Sequence, residues 1–417
     1  MRVAWIAPNG GNFTLNKLKG TGGWISSLET ALLESTEDVE LGIIFCHSEK
    51  LQPIVHDKVT YYPVHRPLES NVRKLYNRWF RDEEKFEDRL VLQIADYVTQ
   101  FKPDVVHVWG CENFYIKVLR YINCPSVVHI QGLASSIIQY YLPNGVGVSD
   151  IASQDNILDR YILKRGNLYG YKSFVRQVAT EKEMAKYITN WIGRTEWDKA
   201  SAYCLAPRAN YYHCDELMRT EFYENQWQYH YNGKLIIQSS ISDAWYKGVD
   251  IVLRTAQTLK SLGVDFEWNV YGVTELSATV CFFAKKYNIN PKDVNIRLHG
   301  YVSADVIAKG LLDSDVYVHP SYIENGCNAV QEAMCLGTPT ISQCVGGVKS
   351  TLASDAGILV QSNDSSVMAF SIIQMRNKDV AEGYSTRGRS IAIKRHDRES
   401  VVGELMGIYN AVINGAH

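Results

Sequence analysis

Glu324 and Glu332 stand eight residues apart, with a glycine-containing turn and a helix start between them. From Asp315 to Val348 the chain reads DVYVHPSYIENGCNAVQEAMCLGTPTISQCVGGV. Val316 to His319 is β-branched and aromatic, which predicts a buried strand. Pro320 and Ser321 end it, and Glu324-Asn325-Gly326 forms a polar turn. Ala329 to Leu336 reads as a helix stopped by Gly337, and Thr338 to Ser342 as the next strand. The amides at the helix start, from Cys327 through Asn328 and Ala329 to Val330, can hold a diphosphate. Gly326 lets the backbone come close to it. Glu324 in the turn then meets sugar hydroxyls on one side. Glu332, one to two turns into the helix, meets a ribose diol on the other. Sugar, diphosphate, ribose and base is the order of parts in a sugar nucleotide. An isolated strand–turn–helix is ordinary α/β structure, so the surrounding pattern has to decide.

The elements that must position these residues alternate along the whole chain. In the first half, strands fit Val3 to Pro8, Val39 to Cys46, Asp104 to Trp109, Ser126 to Ile130 and Tyr187 to Gly193. Helices fit Gly23 to Glu34, Glu83 to Phe101, Phe114 to Tyr121 and Thr195 to Cys204. In the second half, strands fit Leu235 to Ser239, Phe266 to Tyr271, Asn295 to His299, Asp315 to His319, Thr338 to Ser342 and Gly357 to Val360. Helices there fit Gly248 to Leu262, Ser303 to Leu312 and Arg398 to Ile413. Such alternation predicts parallel sheets covered on both faces, with ligands at the carboxyl ends of the strands. The expected division is 1–215, an irregular polar and aromatic linker 216–233, 234–395, and a terminal helix 396–417 that packs back on the first domain.

With 417 residues the chain is long enough for two domains. It is 46% hydrophobic and 21% charged, which excludes a disordered chain. A net charge of −2 gives no support for a nucleic-acid partner. The nine cysteines are scattered without a CxxC pair, so a reduced, cytoplasmic setting is expected. The N-terminus runs straight into a strand without the apolar stretch of a signal peptide. No apolar run is long enough for a membrane span.

The segment around the two glutamates resembles the donor-binding motif of the retaining family-4 glycosyltransferases, P-S-x-x-E-G-F-G-x-x-x-x-E-A-M-A-x-G-x-P-V-I followed by G-G. Pro320, Ser321, Glu324, Glu332, Ala333, Met334, Gly337, Pro339, Ile341, Gly346 and Gly347 fall in place. The E-G-F-G portion departs, reading Glu324-Asn325-Gly326-Cys327. The resemblance implies a GT-B fold, two doubly wound Rossmann-like domains facing across a cleft. It also implies a nucleoside-diphosphate sugar as co-substrate, with no metal or other cofactor. The sugar would pass in α linkage to the hydroxyl of a sugar or lipid-linked sugar acceptor, in surface polysaccharide or glycolipid assembly.

The remaining motifs take roles from the same resemblance. Lys247, before Gly248, matches the lysine that neutralises the leaving diphosphate. The arginine expected about six residues earlier is missing, since Ile241 and Ser242 stand there, and Arg194 is the candidate substitute. Gly22 and Gly23 match the loop that closes over sugar and phosphates. His129, ending the strand SVVHI, matches the histidine beside the anomeric centre. Gly272 and Val302 frame the nucleobase, and Glu112, after DVVHVWG, faces the acceptor. Thr195 and Asp198 form a capping-box pattern that fixes the strand end carrying Arg194. Asn71 to Phe86 mixes basic and aromatic residues, as a helix lying on the inner face of an anionic membrane does. Two other readings remain open, a sugar-nucleotide epimerase of the same fold and a catalytically silent sugar-nucleotide-binding protein.

Overall fold

The computed structural model describes residues 1–13, 23–36, 38–353 and 355–415. The chain folds as two compact units. The first comprises Met1–Ile138, Ile151–Leu217 and Asp397–His417. The second comprises Gln139–Asp150 and Met218–His396.

The first unit is built on an eight-stranded sheet. Its strands are β1 (Arg2–Ile6), β2 (Glu40–His47), β3 (Ile54–His56), β4 (Val59–His65), β5 (Val105–Trp109), β6 (Ser126–His129), β7 (Asn190–Gly193) and β8 (Asn210–His213). They lie in the order β3-β4-β2-β1-β5-β6-β7-β8. All neighbours are parallel except β3 and β4. Val3, Trp5, Leu41 and Val105 face one apolar core, and Ala4, Ile44, Val106 and Val128 the other. That is the double burial that makes parallel strands near-continuous hydrophobic runs. The terminal helix Arg398–Asn414 covers one face, and the Trp5 indole donates to the Tyr409 hydroxyl at 2.9 Å.

The second unit carries β9 (Leu235–Ser240), β10 (Phe266–Tyr271), β11 (Ile296–Gly300), β12 (Val316–His319), β13 (Thr340–Gln343) and β14 (Ile358–Val360). Their order is β11-β10-β9-β12-β13-β14, parallel throughout. The order reverses at β9, so crossovers leave in opposite directions from β9 and β12. Met218 and Phe222, from the stretch read as linker, are buried in this unit's core. Trp227 donates its indole N–H to the Ser314 carbonyl at 2.7 Å.

Three strands have no counterpart in the sequence reading. β4 contains Pro63, which argues against a strand. Pro63 is tolerated because β3 pairs only with residues 59–61 and ends before reaching it. β3 is only three residues long and exposed throughout, and β8 is a polar sheet edge. The stretch expected to be an α-helix from Phe114 is the tighter 3₁₀ form, Phe114–Arg120.

Candidate active site

In the second unit, the carboxyl ends of β9 and β12 bring Lys247 and Glu324 together. Lys247 ends a 3₁₀ turn, Trp245–Lys247, just before the helix Val249–Ser261. Gly248 has φ 77°, and a Cβ there would lie 2.0 Å from the Pro320 carbonyl oxygen. Only glycine lets the lysine loop approach the end of β12 so closely. The amide of Tyr322 then donates to the Tyr246 carbonyl at 2.8 Å, tying the two loops. Gly346 serves the same purpose on the other side. Its Cβ would meet the Glu324 carbonyl oxygen at 1.9 Å, and Gly347 donates its amide to that oxygen at 2.9 Å. The Gly-Gly turn therefore holds the backbone of Glu324 in place.

Glu324 Oε1 accepts from Lys247 Nζ at 2.5 Å and from His319 Nε2 at 3.0 Å. Burial works to raise the Glu324 pKa, but the Lys247 ammonium and the His319 hydrogen bond outweigh it and hold the carboxyl far below its usual range. Burial likewise opposes the Lys247 charge, and Glu324 outweighs it, raising the lysine. The pair is charged across the physiological range.

The turn continues into the helix Asn328–Leu336 through Cys327, which has φ 36°. Cys327 Sγ lies 3.3 Å from His319 Nε2. The amides of Val330 and Gln331 both donate to the Cys327 carbonyl, at 3.1 and 3.3 Å. Val330 is therefore committed to winding the first turn, and the anion-binding end of the helix narrows to Cys327, Asn328 and Ala329. Asn325 is buried, and its side-chain amide nitrogen makes no hydrogen bond among the described residues. The Gly326 carbonyl accepts from the Gln331 side chain.

Glu332 is buried and paired with a residue that the sequence reading missed. Arg219 donates to its Oε1 from Nε at 3.0 Å and from Nη2 at 2.7 Å. Burial raises the Glu332 pKa and Arg219 counters it. Arg219 lies 113 positions away in a stretch without periodicity, so no spacing could link the two. Ile241, at the expected arginine position, is buried and apolar, while Ser242 is exposed. Gly272 follows β10 and donates its amide to Gly300 at 2.7 Å, and Val302 follows β11.

The first unit holds a different cluster at the ends of β5, β6 and β7. His129 is fully buried and stacks on Trp109, with ring centroids 4.7 Å apart. Neither ring nitrogen has a hydrogen-bond partner among the described residues. Burial first, then His107 and Arg194, push its pKa well down, so the imidazole is neutral. Arg194 donates to Glu216 Oε2 at 2.7 Å, and both side chains are buried. Its charge is already matched by a carboxylate. The Thr195–Asp198 capping box forms, and Asp198 also accepts the Arg194 amide at 3.0 Å. Glu112 follows β5, and burial pushes its carboxyl up to about 7, with Glu181 adding to the rise. Gly23 opens the helix Gly23–Ser35, while Gly22 lies outside the described residues.

Residues 224–389 match the family model of glycosyl transferases group 1, less than half of the chain. No curated protein matches the chain in sequence. Among solved structures, sucrose-phosphate synthase from Thermosynechococcus elongatus is similar with a TM-score of 0.71 at 13% identity, over 99% of each chain. The trehalose-6-phosphate structure from E. coli bound with UDP-2-fluoro glucose gives 0.64 at 10% identity, covering 98% of this chain and 99% of its own. WaaG, a glycosyltransferase involved in lipopolysaccharide biosynthesis, gives 0.60 at 11% identity, over 98% of this chain and 99% of its own. At such identities the likeness is one of fold. The fold is GT-B, and the glycosyl transferases group 1 match lies in its second unit.

Proposed function

We propose that this protein is a retaining hexosyltransferase that takes its sugar from a nucleoside diphosphate and places it in α linkage on an acceptor hydroxyl. The observation that carries the reading is the charged Lys247–Glu324 pair beside the start of the helix that bears Glu332. The leaving diphosphate develops the largest charge in the reaction. Lys247 and the amides of Cys327, Asn328 and Ala329 would stabilise it, and such preorganised donors act most strongly where water is excluded. Glu324, ionised at every working pH, would accept from sugar hydroxyls and favour the positive anomeric centre. Glu332 would accept from the ribose diol, oriented by Arg219. His129, neutral and with no hydrogen bond to its ring nitrogens among the described residues, is suited to orient a sugar hydroxyl, and Glu112 to meet the acceptor. Gly22, Gly23, Asn325, Gly272 and Val302 complete the expected donor contacts. No metal enters this chemistry.

The acceptor and setting follow from the family resemblance, namely a sugar or lipid-linked sugar in surface polysaccharide or glycolipid assembly. Peripheral contact with the inner membrane face has its own support. The helix Asn71–Phe80 buries no residue. Val72, Tyr76 and Phe80 are exposed on it, between Arg73, Lys74 and Arg78. Trp79 donates to the Ile162 carbonyl at 2.8 Å, which joins it to the exposed Leu158, Tyr161 and Ile162.

The absence of a cation at Ile241 and Ser242 favours a second reading, a silent sugar-nucleotide-binding protein. Incubation of the purified chain with UDP-, GDP- and ADP-sugars separates the two. Release of nucleoside diphosphate with α-configured product supports the transferase. Binding of a donor without turnover in any acceptor screen would establish the silent form instead.

A further inference from the structure

His319, Glu324 and Cys327 offer an imidazole, a carboxylate and a thiol, a ligand set typical of zinc. Their ligand atoms lie within 4.8 Å of one another. His319 Nε2 is 3.0 Å from Glu324 Oε1 and 3.3 Å from Cys327 Sγ. Zinc bonds of about 2.0–2.3 Å at tetrahedral angles put nitrogen about 3.3 Å from oxygen and about 3.6 Å from sulfur. The two distances from His319 are within a few tenths of an ångström of these values, and the Glu324 and Cys327 ligand atoms lie within 4.8 Å of each other. The remaining ring nitrogen, Nδ1, lies 3.3 Å from the Tyr317 hydroxyl, a partner that can fix the tautomer a metal needs. The three come together because the turn after β12 brings its end back over His319. Position 327, a glycine in the family motif, here carries a thiol on a backbone of φ 36°.

We propose that His319, Glu324 and Cys327 form a binding site for zinc or a similarly soft divalent cation, and that its occupancy blocks the diphosphate end of the donor site. The second half of this proposal rests on the functional reading above. Three protein ligands leave a fourth position open to water. On binding, Zn–N, Zn–O and Zn–S bonds form and the Cys327 thiol proton leaves to solvent. The His319 proton moves to Nδ1, toward Tyr317. Glu324 then no longer accepts from sugar hydroxyls. Lys247, 2.5 Å from the same oxygen, faces a dication where its partner was. Donor binding and metal binding therefore exclude each other.

The test uses the full chain, titrated with Zn²⁺ against a chromophoric chelator. Cys204, Cys281 and Cys344 are exposed and can also take zinc, so the readout is a difference between proteins. Cys327→Ser keeps the side-chain size, and His319→Gln provides a second variant. The expected result is one equivalent bound by the parent chain and weakened at least about tenfold in both variants. With Co²⁺ the parent chain, but not Cys327→Ser, gains a thiolate-to-metal charge-transfer band. Equal zinc binding in parent and Cys327→Ser, or no such band in the parent, overturns the site. A thermal shift by UDP or another nucleoside diphosphate that one equivalent of Zn²⁺ leaves intact overturns the blocking. If zinc binds as expected but no nucleoside diphosphate shifts the metal-free protein, the metal site stands and the donor-site reading fails.

Discussion

The two units solve the same structural problem with opposite electrostatics. Each ends its central parallel strands in a cluster of polar side chains. In the second unit the cluster is ionic, with Lys247 against Glu324 and Arg219 against Glu332. In the first it centres on a neutral imidazole, His129, packed on Trp109 and His107, beside a self-matched Arg194–Glu216 pair. His107 is itself buried, its pKa pushed down to about 3, and bonded to the Tyr409 hydroxyl at 2.7 Å. A buried charge costs several kcal/mol unless it is paired. The second unit retains charge where a diphosphate would be handled, and the first keeps its stacked imidazoles neutral and closes its charges into the Arg194–Glu216 pair. An α/β sheet thus specifies where a site lies but not its charge, which the side chains at the strand ends decide.

The sharpest break of this contrast is Lys247→Met. It leaves Glu324 without its cation, and kcat should fall about 10²–10³-fold, as for loss of one preorganised donor. A fall below tenfold in steady-state assays would mean that Lys247 does not meet the diphosphate. Arg194→Ala should act differently. It abandons Glu216 in a buried position, at a cost of about 3–5 kcal/mol, so the melting temperature should drop. Adding Glu216→Gln should restore much of that stability. If activity returns with it, Arg194 is a structural residue. If stability returns and activity does not, Arg194 supplies the charge missing at Ile241 and Ser242.

Arg219→Ala probes the pairing across the second unit. It should weaken nucleoside diphosphate affinity about 10–100-fold, by analogy with outer-shell partners, with less effect on kcat. Calorimetry on the variant checks this. The pH prediction concerns the first unit. The folded-state pKa of Glu112 is raised from 4.5 to about 7. Between those values the folded protein holds a proton that the unfolded chain has lost. Stability contributed at low pH is therefore withdrawn as pH rises from about 4.5 to about 7. Melting curves across that range should slope less in Glu112→Gln, and an identical slope would show that Glu112 titrates normally. The smallest effect expected is on the helix Asn71–Phe80. Replacing Tyr76 and Phe80 with serine should lower retention on anionic vesicles at low salt while leaving transfer to a soluble acceptor unchanged.

How much was legible in the sequence follows from the range of each interaction. Glu324, Glu332, Gly346 and Gly347 lie in one local motif whose spacing is set by a strand, a turn and a helix. Lys247 was legible only through its match to the family's lysine-glycine pair, since by residue type alone it reads as a surface lysine. Arg219 was not, since only tertiary packing brings it to Glu332. The proximity of Cys327 to His319 depends on how the turn folds back, which residue types do not reveal. Strand β3 was missed because it is only three residues long, β4 because Pro63 interrupts it, and β8 because it is a polar edge. The helices Ser365–Gln374 and Lys378–Arg395 were likewise not anticipated. The second carries Gly383 and Gly388, both unfavourable in a helix interior. Gly388 is there because a Cβ would lie 2.8 Å from the Ala356 carbonyl oxygen.

The central claim is that Lys247, Glu324 and the start of the helix Asn328–Leu336 form a nucleoside diphosphate site. The most direct measurement is a metal-free thermal-shift panel with UDP, GDP, ADP and CMP on the parent chain and on Lys247→Met and Glu332→Ala. A ligand at 100 times its Kd stabilises a fold by about 2.7 kcal/mol, which is readily seen. The account predicts a shift with one diphosphate in the parent chain that shrinks sharply in both variants. No shift with any nucleotide, or an equal shift in the variants, would contradict it.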